Sequence, residues 1–148
     1  MKLLHPTDFS ATAEAAEAQA LPLARALGAE IVLLHVAIET PLYSEGGLGV
    51  DTQQIYEAQR EWAEQTLEAR TAALRAQGVQ ARWIRRVGVP FEEIVATAAA
   101  ERANLIVMGT HGRSGLNRLL LGSVADRVIR LAPCPVLAVR EPGHAKAA

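Results

Sequence analysis

Little in this chain is of a kind that declares a function outright. It has one cysteine, Cys134, so no intrachain disulfide can form. That thiol lies between Pro133 and Pro135 with no histidine near it in sequence, which reads as a structural residue of a reducing compartment. Aromatic residues are only 4% of the 148, so the core must be assembled from Ala, Val, Leu and Ile. Neither charge sign dominates: 15 Lys and Arg stand against 16 Asp and Glu, giving a net charge of -1. A nucleic-acid or anionic-membrane surface normally needs a basic excess, so neither partner is expected. The opening MKLLHPTDFS has a three-residue apolar step before proline and aspartate, too short for a signal peptide or a membrane span. A cytoplasmic, soluble protein is the expectation.

What is present is a regular alternation of apolar strands and amphipathic helices. A strand from Lys2 ends at His5-Pro6, and a helix follows from Ser10 to Leu27, with Ala13, Ala16, Ala20, Leu23 and Leu27 as its inner face. Ser10 suits the N-cap and Gly28 the stop, while Pro22 should kink or split the helix. Glu30–Val36 reads as a buried strand. Gly46, Gly47 and Gly49 mark a mobile loop that lacks the rest of a dinucleotide fingerprint. A long helix over 52–77 would bury Ile55, Ala58, Trp62, Ala69 and Ala73. Ala81–Val87 carries Arg82, Arg85 and Arg86, as an edge strand should. A helix from Pro90, a strand over Leu105–Met108, a helix over Val124–Leu131 and a strand over Val136–Val139 complete the series. Short connections between alternating elements predict an α/β fold with a parallel sheet covered on both faces. Residues 1–140 read as one domain and 141–148 as a flexible tail.

The unusual stretch is GTHGRSGLNRLLLGSVADRV, positions 109 to 128. Gly109 and Gly112 are separated by two residues, and nine more precede Gly122-Ser123. It starts where a strand ends, the side of an open parallel sheet on which ligands bind. Glycine allows positive φ and lets a ligand approach the backbone closely. Ser123 suits the N-cap of the last helix, with Asp126 as a weaker capping-box partner, and such a helix start attracts anions. The spacing alone is a weak signal; a preceding strand and a following Ser and helix make it a strong one for a phosphate chain, with a turn-rich connection that holds no ligand as the alternative. No lysine follows Gly122, so this is not a Walker A loop. His5, His35 and His111 fall near strand ends that should adjoin, without the tight spacing of a metal site.

HPTDFS after the first strand, LLHV in the second, VMGTHGRSG after the fourth and LLLGSVADRVIRLAPCPVLAV at the end resemble the universal stress protein family, specifically its ATP-binding branch. The resemblance implies a Rossmann-like five-stranded parallel sheet ordered 3-2-1-4-5, of the adenine-nucleotide alpha hydrolase type, and usually a homodimer. It implies that Pro6, Thr7 and Asp8 line the ribose and adenine side, and that the Val36 backbone meets the adenine edge. It places Met108, Gly109, His111, Gly112 and Arg113 against ribose and phosphates, and Gly122, Ser123, Val124 and Ala125 at the phosphates. Two positions depart from the family: His5, where an aliphatic residue is common, and Ala125, where a hydroxyl is frequent.

Three functions stay open on these grounds. The first is an ATP-binding stress-response regulator acting on an unknown partner protein, with Mg²⁺ entering on the nucleotide. The second is a slow ATPase at the same site, with Asp8 and His111 as weak candidates to position water. The third is a scaffold without ligand. The apolar last strand, uncharged until Arg140, would pair with a second copy of the chain.

Overall fold

A computed structural model describes residues 1–38, 52–112 and 121–141 of the chain. Arg113, the Gly46–Gly49 segment and the tail beyond residue 141 lie outside the described residues. The elements run β1 (Lys2–Pro6), α1 (Ala11–Leu27), β2 (Glu30–Ala37), α2 (Thr52–Ala76), β3 (Ala81–Val87), α3 (Pro90–Glu101), β4 (Leu105–Gly109), α4 (Ser123–Leu131) and β5 (Val136–Val139). All pairings are parallel, and the strand order is β3-β2-β1-β4-β5, the expected sheet.

Alternation along the strands divides the core into two layers. Leu3, Ile31, Leu33 and Val107 point toward α1 and α2, where Ala16, Ala20, Ala24, Leu67 and Leu74 meet them. Leu4, Val32, Leu34, Ile106 and Met108 point the other way, to Ile94 and Ala98 of α3 and Ala125 and Val128 of α4. The row of alanines on α1 lets that helix lie close to the sheet without large side chains.

Helix faces are where the sequence misled. On α2 the buried residues are Ala63, Leu67, Thr71 and Leu74, whereas Trp62 is 51% exposed and Ala58, Ala69 and Ala73 face solvent. Alanine weighs almost equally for core and surface, so an alanine-rich helix does not fix its own phase; Leu67 and Leu74 do. On α1 the stripe ends on Ala24, and Leu27 is exposed. Pro22 does not split α1: it lies on the solvent side, and the carbonyl deprived of its donor belongs to exposed Ala18.

β3 is an edge strand, as its arginines predict. Arg82 forms ion pairs with Glu30 and Glu101, and Glu101 also takes Lys2 at 3.0 Å. The Arg82 guanidinium, and then the Lys2 ammonium, hold the Glu101 carboxyl below the usual carboxylate range. These pairs tie the N-terminal ends of β1, β2 and β3 to the end of α3.

β1 and β4 pair only at Leu3–Leu105 and Leu4–Ile106, although β4 pairs with β5 as far as Gly109–Val139. Just past the last β1–β4 pair sits His5, fully buried, with Nδ1 2.8 Å from the Val107 carbonyl. A carbonyl only accepts, so Nδ1 carries the proton. Nε2 has no hydrogen-bond partner, and the Glu17 carboxylate of α1 is 4.0 Å from it. Burial lowers the His5 pKa; Arg70 of α2 acts in the same direction, while the Val107 bond, Glu17 and Asp8 oppose it.

Two outcomes follow for stability. Leu67→Ala should cost about 2–5 kcal/mol in urea unfolding, whereas Ala73→Ser should stay within about 0.5 kcal/mol; equal effects would contradict the phase of α2. The unfolded chain protonates His5 near its ordinary pKa of about 6.5, above the folded state. Stability is therefore complete above about pH 6.5 and declines as the pH falls from there toward the depressed folded value. Urea midpoints from pH 8 to 5 should show a weaker acid-side decline in His5→Val than in the natural chain.

Candidate functional site

Where β1 and β4 part, two connections leave the sheet on the same side. The first is Thr7–Ser10, leading into α1. Thr7 continues the β2 pairing through its amide, which donates to Leu34 at 2.8 Å, and its own carbonyl accepts from His35 Nδ1 at 2.9 Å. Its hydroxyl accepts the Phe9 amide at 3.1 Å, Asp8 Oδ1 accepts the Ser10 amide at 3.0 Å, and Ser10 Oγ accepts the Ala13 amide at 3.2 Å. Three side chains thus wind the backbone into a tight turn and cap α1.

Phe9 sits inside that turn at φ 63, left-handed backbone that a bulky residue rarely adopts. Its ring packs 4.7 Å from His35 and edge-on at 5.1 Å against Trp62, and the Arg70 guanidinium lies 5.8 Å from its centroid. These contacts, with the hydroxyl and carboxylate bonds, hold a conformation that costs roughly 1–3 kcal/mol. The result is a fixed direction for Asp8. One of its oxygens serves the turn, so Asp8 is a turn residue; the other faces the second connection.

That connection runs from Gly109. A Cβ added at Gly112 would stand 3.0 Å from Asp8 Oδ2, so the two connections meet here. The Thr110 hydroxyl and His111 Nδ1 are 2.9 Å apart, and the Thr110 amide donates to Val139 at 2.9 Å. The chain comes back at Leu121, and the Gly122 amide donates to the Thr110 carbonyl at 2.8 Å. The start of α4 is therefore fastened to the Thr110–His111 backbone.

The glycines here have a different cause from the expected one. None of Gly109, Gly112 and Gly122 has positive φ. A Cβ at Gly109 would lie 2.8 Å from Thr12 Cγ2 and 3.0 Å from the Thr12 backbone, and one at Gly122 would lie 2.9 Å from the Thr110 oxygen. What approaches these two glycines is the chain itself: the first turn of α1 at one, the β4 connection at the other.

The N-cap of α4 is Gly122, not Ser123, and among the described residues no side chain caps it. Ser123 opens the helix itself and is exposed, with Val124 half-buried and Ala125 buried. The first N–H groups of a helix have no partner within it, and the dipole there favours an anion. Of the expected site residues, Pro6, Thr7 and Asp8 lie at the end of β1 and in its connection to α1, Met108, Gly109, His111 and Gly112 at the end of β4 and just beyond it, and Gly122–Ala125 at the start of α4. Asp8 stands against Gly112 and Gly122 against Thr110, while Val36 lies on β2, the strand next to β1. Arg113 is outside the described residues. Sequence reasoning missed Thr110, whose carbonyl accepts the Gly122 amide, and Thr12, against which Gly109 packs; His35, noted among the strand-end histidines, is hydrogen-bonded to the Thr7 carbonyl. Among the described residues no three His, Cys, Asp or Glu side chains are grouped to hold a metal ion, and no helix is long and apolar enough to cross a membrane.

Comparison with known proteins bears on this architecture. The family model of the universal stress protein family matches residues 1–140. Universal stress protein MJ0531 of Methanocaldococcus jannaschii is 38% identical over 141 residues, covering 95% of this chain and 82% of that protein. The solved structure of hypothetical protein MJ0577 superposes with a TM-score of 0.82 at 35% identity, covering 96% of each chain. A universal stress protein from Archaeoglobus fulgidus, solved in complex with dAMP, superposes with a TM-score of 0.66 at 27% identity, over 94% of this chain and 97% of that one. With that sheet order and these relatives, the chain belongs to the universal stress protein family.

Proposed function

We propose that the crevice between β1 and β4 binds ATP, and that the protein is a cytoplasmic regulator whose nucleotide state is read by a partner protein. The observation that carries this reading is the start of α4, which opens on Gly122 and is fastened to the Thr110–His111 backbone, with Asp8 held against Gly112 beside it. A helix start that no described side chain caps fits a phosphate chain, which brings negative charge and strong acceptors. The Ser123 hydroxyl and the amides of Ser123, Val124 and Ala125 would hold phosphates, with Mg²⁺ entering on the nucleotide. Asp8, whose outer oxygen only accepts, suits ribose hydroxyls. The Val36 backbone would meet the adenine edge, and Met108, Gly109, His111, Gly112 and Arg113 would flank ribose and phosphates. The dAMP complex of the Archaeoglobus relative supports an adenine nucleotide.

β5 has a sheet neighbour on one side only, and Leu137 on it is 38% exposed. A homodimer through this strand is part of the proposal. Gel filtration at micromolar concentration should give twice the chain mass, and a monomer would contradict it.

Slow hydrolysis is the second reading, favoured by the Thr110–His111 contact, which orients one candidate group beside the crevice. Protein denatured after purification should release ATP or ADP near one per chain, identified by chromatography with mass detection. Gly122→Val, which drives a side chain into the Thr110 carbonyl, should weaken Mg·ATP binding by about tenfold or more. No released nucleotide and no thermal shift with millimolar Mg·ATP would overturn the proposal in favour of a ligand-free scaffold. ADP formation that continues over many turnovers, and is lost in Gly122→Val, would establish hydrolysis.

A further inference from the structure

The β1–β4 ladder stops for a reason visible in the backbone phase. The Ile106 amide donates to Pro135 and the Thr110 amide to Val139, so 106, 108 and 110 turn their backbone groups toward β5. The alternate residues, Val107 among them, turn theirs toward β1. With Leu4 paired to Ile106, the next β1 amide due to reach the Val107 carbonyl is that of residue 6. Residue 6 is proline and has no N–H. A carbonyl in the middle of a covered sheet is left without its ladder donor, a state that buried backbone groups rarely tolerate.

His5 fills the vacancy. Its side chain is fully buried and its Nδ1–H reaches the Val107 oxygen at 2.8 Å. We infer that His5 is the positioning residue of the crevice: by supplying the hydrogen bond that Pro6 removes, it holds the Val107–Gly109 backbone at a set distance from Pro6–Asp8 while leaving the strands apart. The bond sits one residue before Met108 and three before Asp8, at the root of both connections. The rest of the ring's surroundings fit a fixed side chain. Nε2 faces Glu17, whose carboxylate is 3.3 Å from Arg70 Nη1, and the Arg70 guanidinium stands over the Phe9 ring in the turn that carries Asp8. An aliphatic residue would fill the volume but leave the Val107 carbonyl unsatisfied. Asparagine keeps a donor at nearly the position of Nδ1.

The consequence for ligand binding rests on the nucleotide proposal above, and the test separates the two. In the ligand-free natural protein, ¹⁵N and ¹³C NMR should find His5 protonated at Nδ1, with a slowly exchanging N–H coupled across the hydrogen bond to the Val107 carbonyl. The amide signals of Met108–Thr110 should move in His5→Val and stay near their natural positions in His5→Asn. Mg·ATP affinity by calorimetry should fall by about tenfold in His5→Val, as expected for one lost hydrogen bond to a buried carbonyl, and remain within about threefold in His5→Asn. An Nε2-protonated ring, or a freely exchanging Nδ1–H, overturns the inference whether or not nucleotide binds. Equal losses in the two variants overturn it also, because ring volume rather than the donor would then matter. If the natural protein binds no nucleotide, the binding proposal fails by itself and the Met108–Thr110 signals still decide the role of His5.

Discussion

A missing amide hydrogen at Pro6 is the constraint on which this structure turns. A fully paired β1–β4 ladder would zip the central strands together to their ends. Proline stops it after Leu4–Ile106, and the two following connections diverge from a common root. Everything used to build the crevice depends on that divergence: the Thr7–Ser10 turn on one side, the Gly109–Gly112 segment on the other, and Asp8 facing Gly112 between them. Proline in a central strand is ordinarily a defect. Here its neighbour His5 supplies the hydrogen bond, so the sheet keeps its polar groups satisfied while the strands part.

Close approach of backbone to backbone is the second element. Gly109 admits the first turn of α1, and Gly122 admits the Thr110 carbonyl. Larger residues would lift α4 from the β4 connection and α1 from the end of β4, separating Asp8 from the helix start. On the proposed reading the glycines would act on a ligand indirectly, by fixing the distances among the groups that would hold it. Phe9 contributes in the same manner from the other side, its left-handed backbone locked by Thr7, His35, Trp62 and Arg70.

The strands and their parallel run were legible in the residues, because continuous apolar runs such as Glu30–Val36 and Leu105–Met108 leave few alternatives to buried parallel strands; the order 3-2-1-4-5 came only with the family resemblance. Helix phase was not. Ala58, Ala69 and Ala73 suit either face, and only contact with the sheet selects Ala63, Leu67, Thr71 and Leu74. Pro22 was misjudged because its cost depends on whether the freed carbonyl meets water, which a sequence does not state. The glycine spacing was read as room for a ligand, whereas Gly109 and Gly122 face the chain's own backbone, because glycine beside a ligand and glycine beside another stretch of backbone look identical in one dimension. His5 stood out as a polar residue in an apolar strand, but its task required knowing which way the Val107 carbonyl faces.

The proposed nucleotide site is one crevice, bounded by Asp8, Gly112 and the start of α4. Titrating Mg·ATP into ¹⁵N-labelled protein and following the amide signals tests it most directly. Saturable shifts are expected at Thr7–Asp8, Met108–Gly112 and Ser123–Ala125, with the β3 edge unmoved. Saturable shifts centred on β3 or on the outer face of α2, or none at millimolar nucleotide, would contradict it.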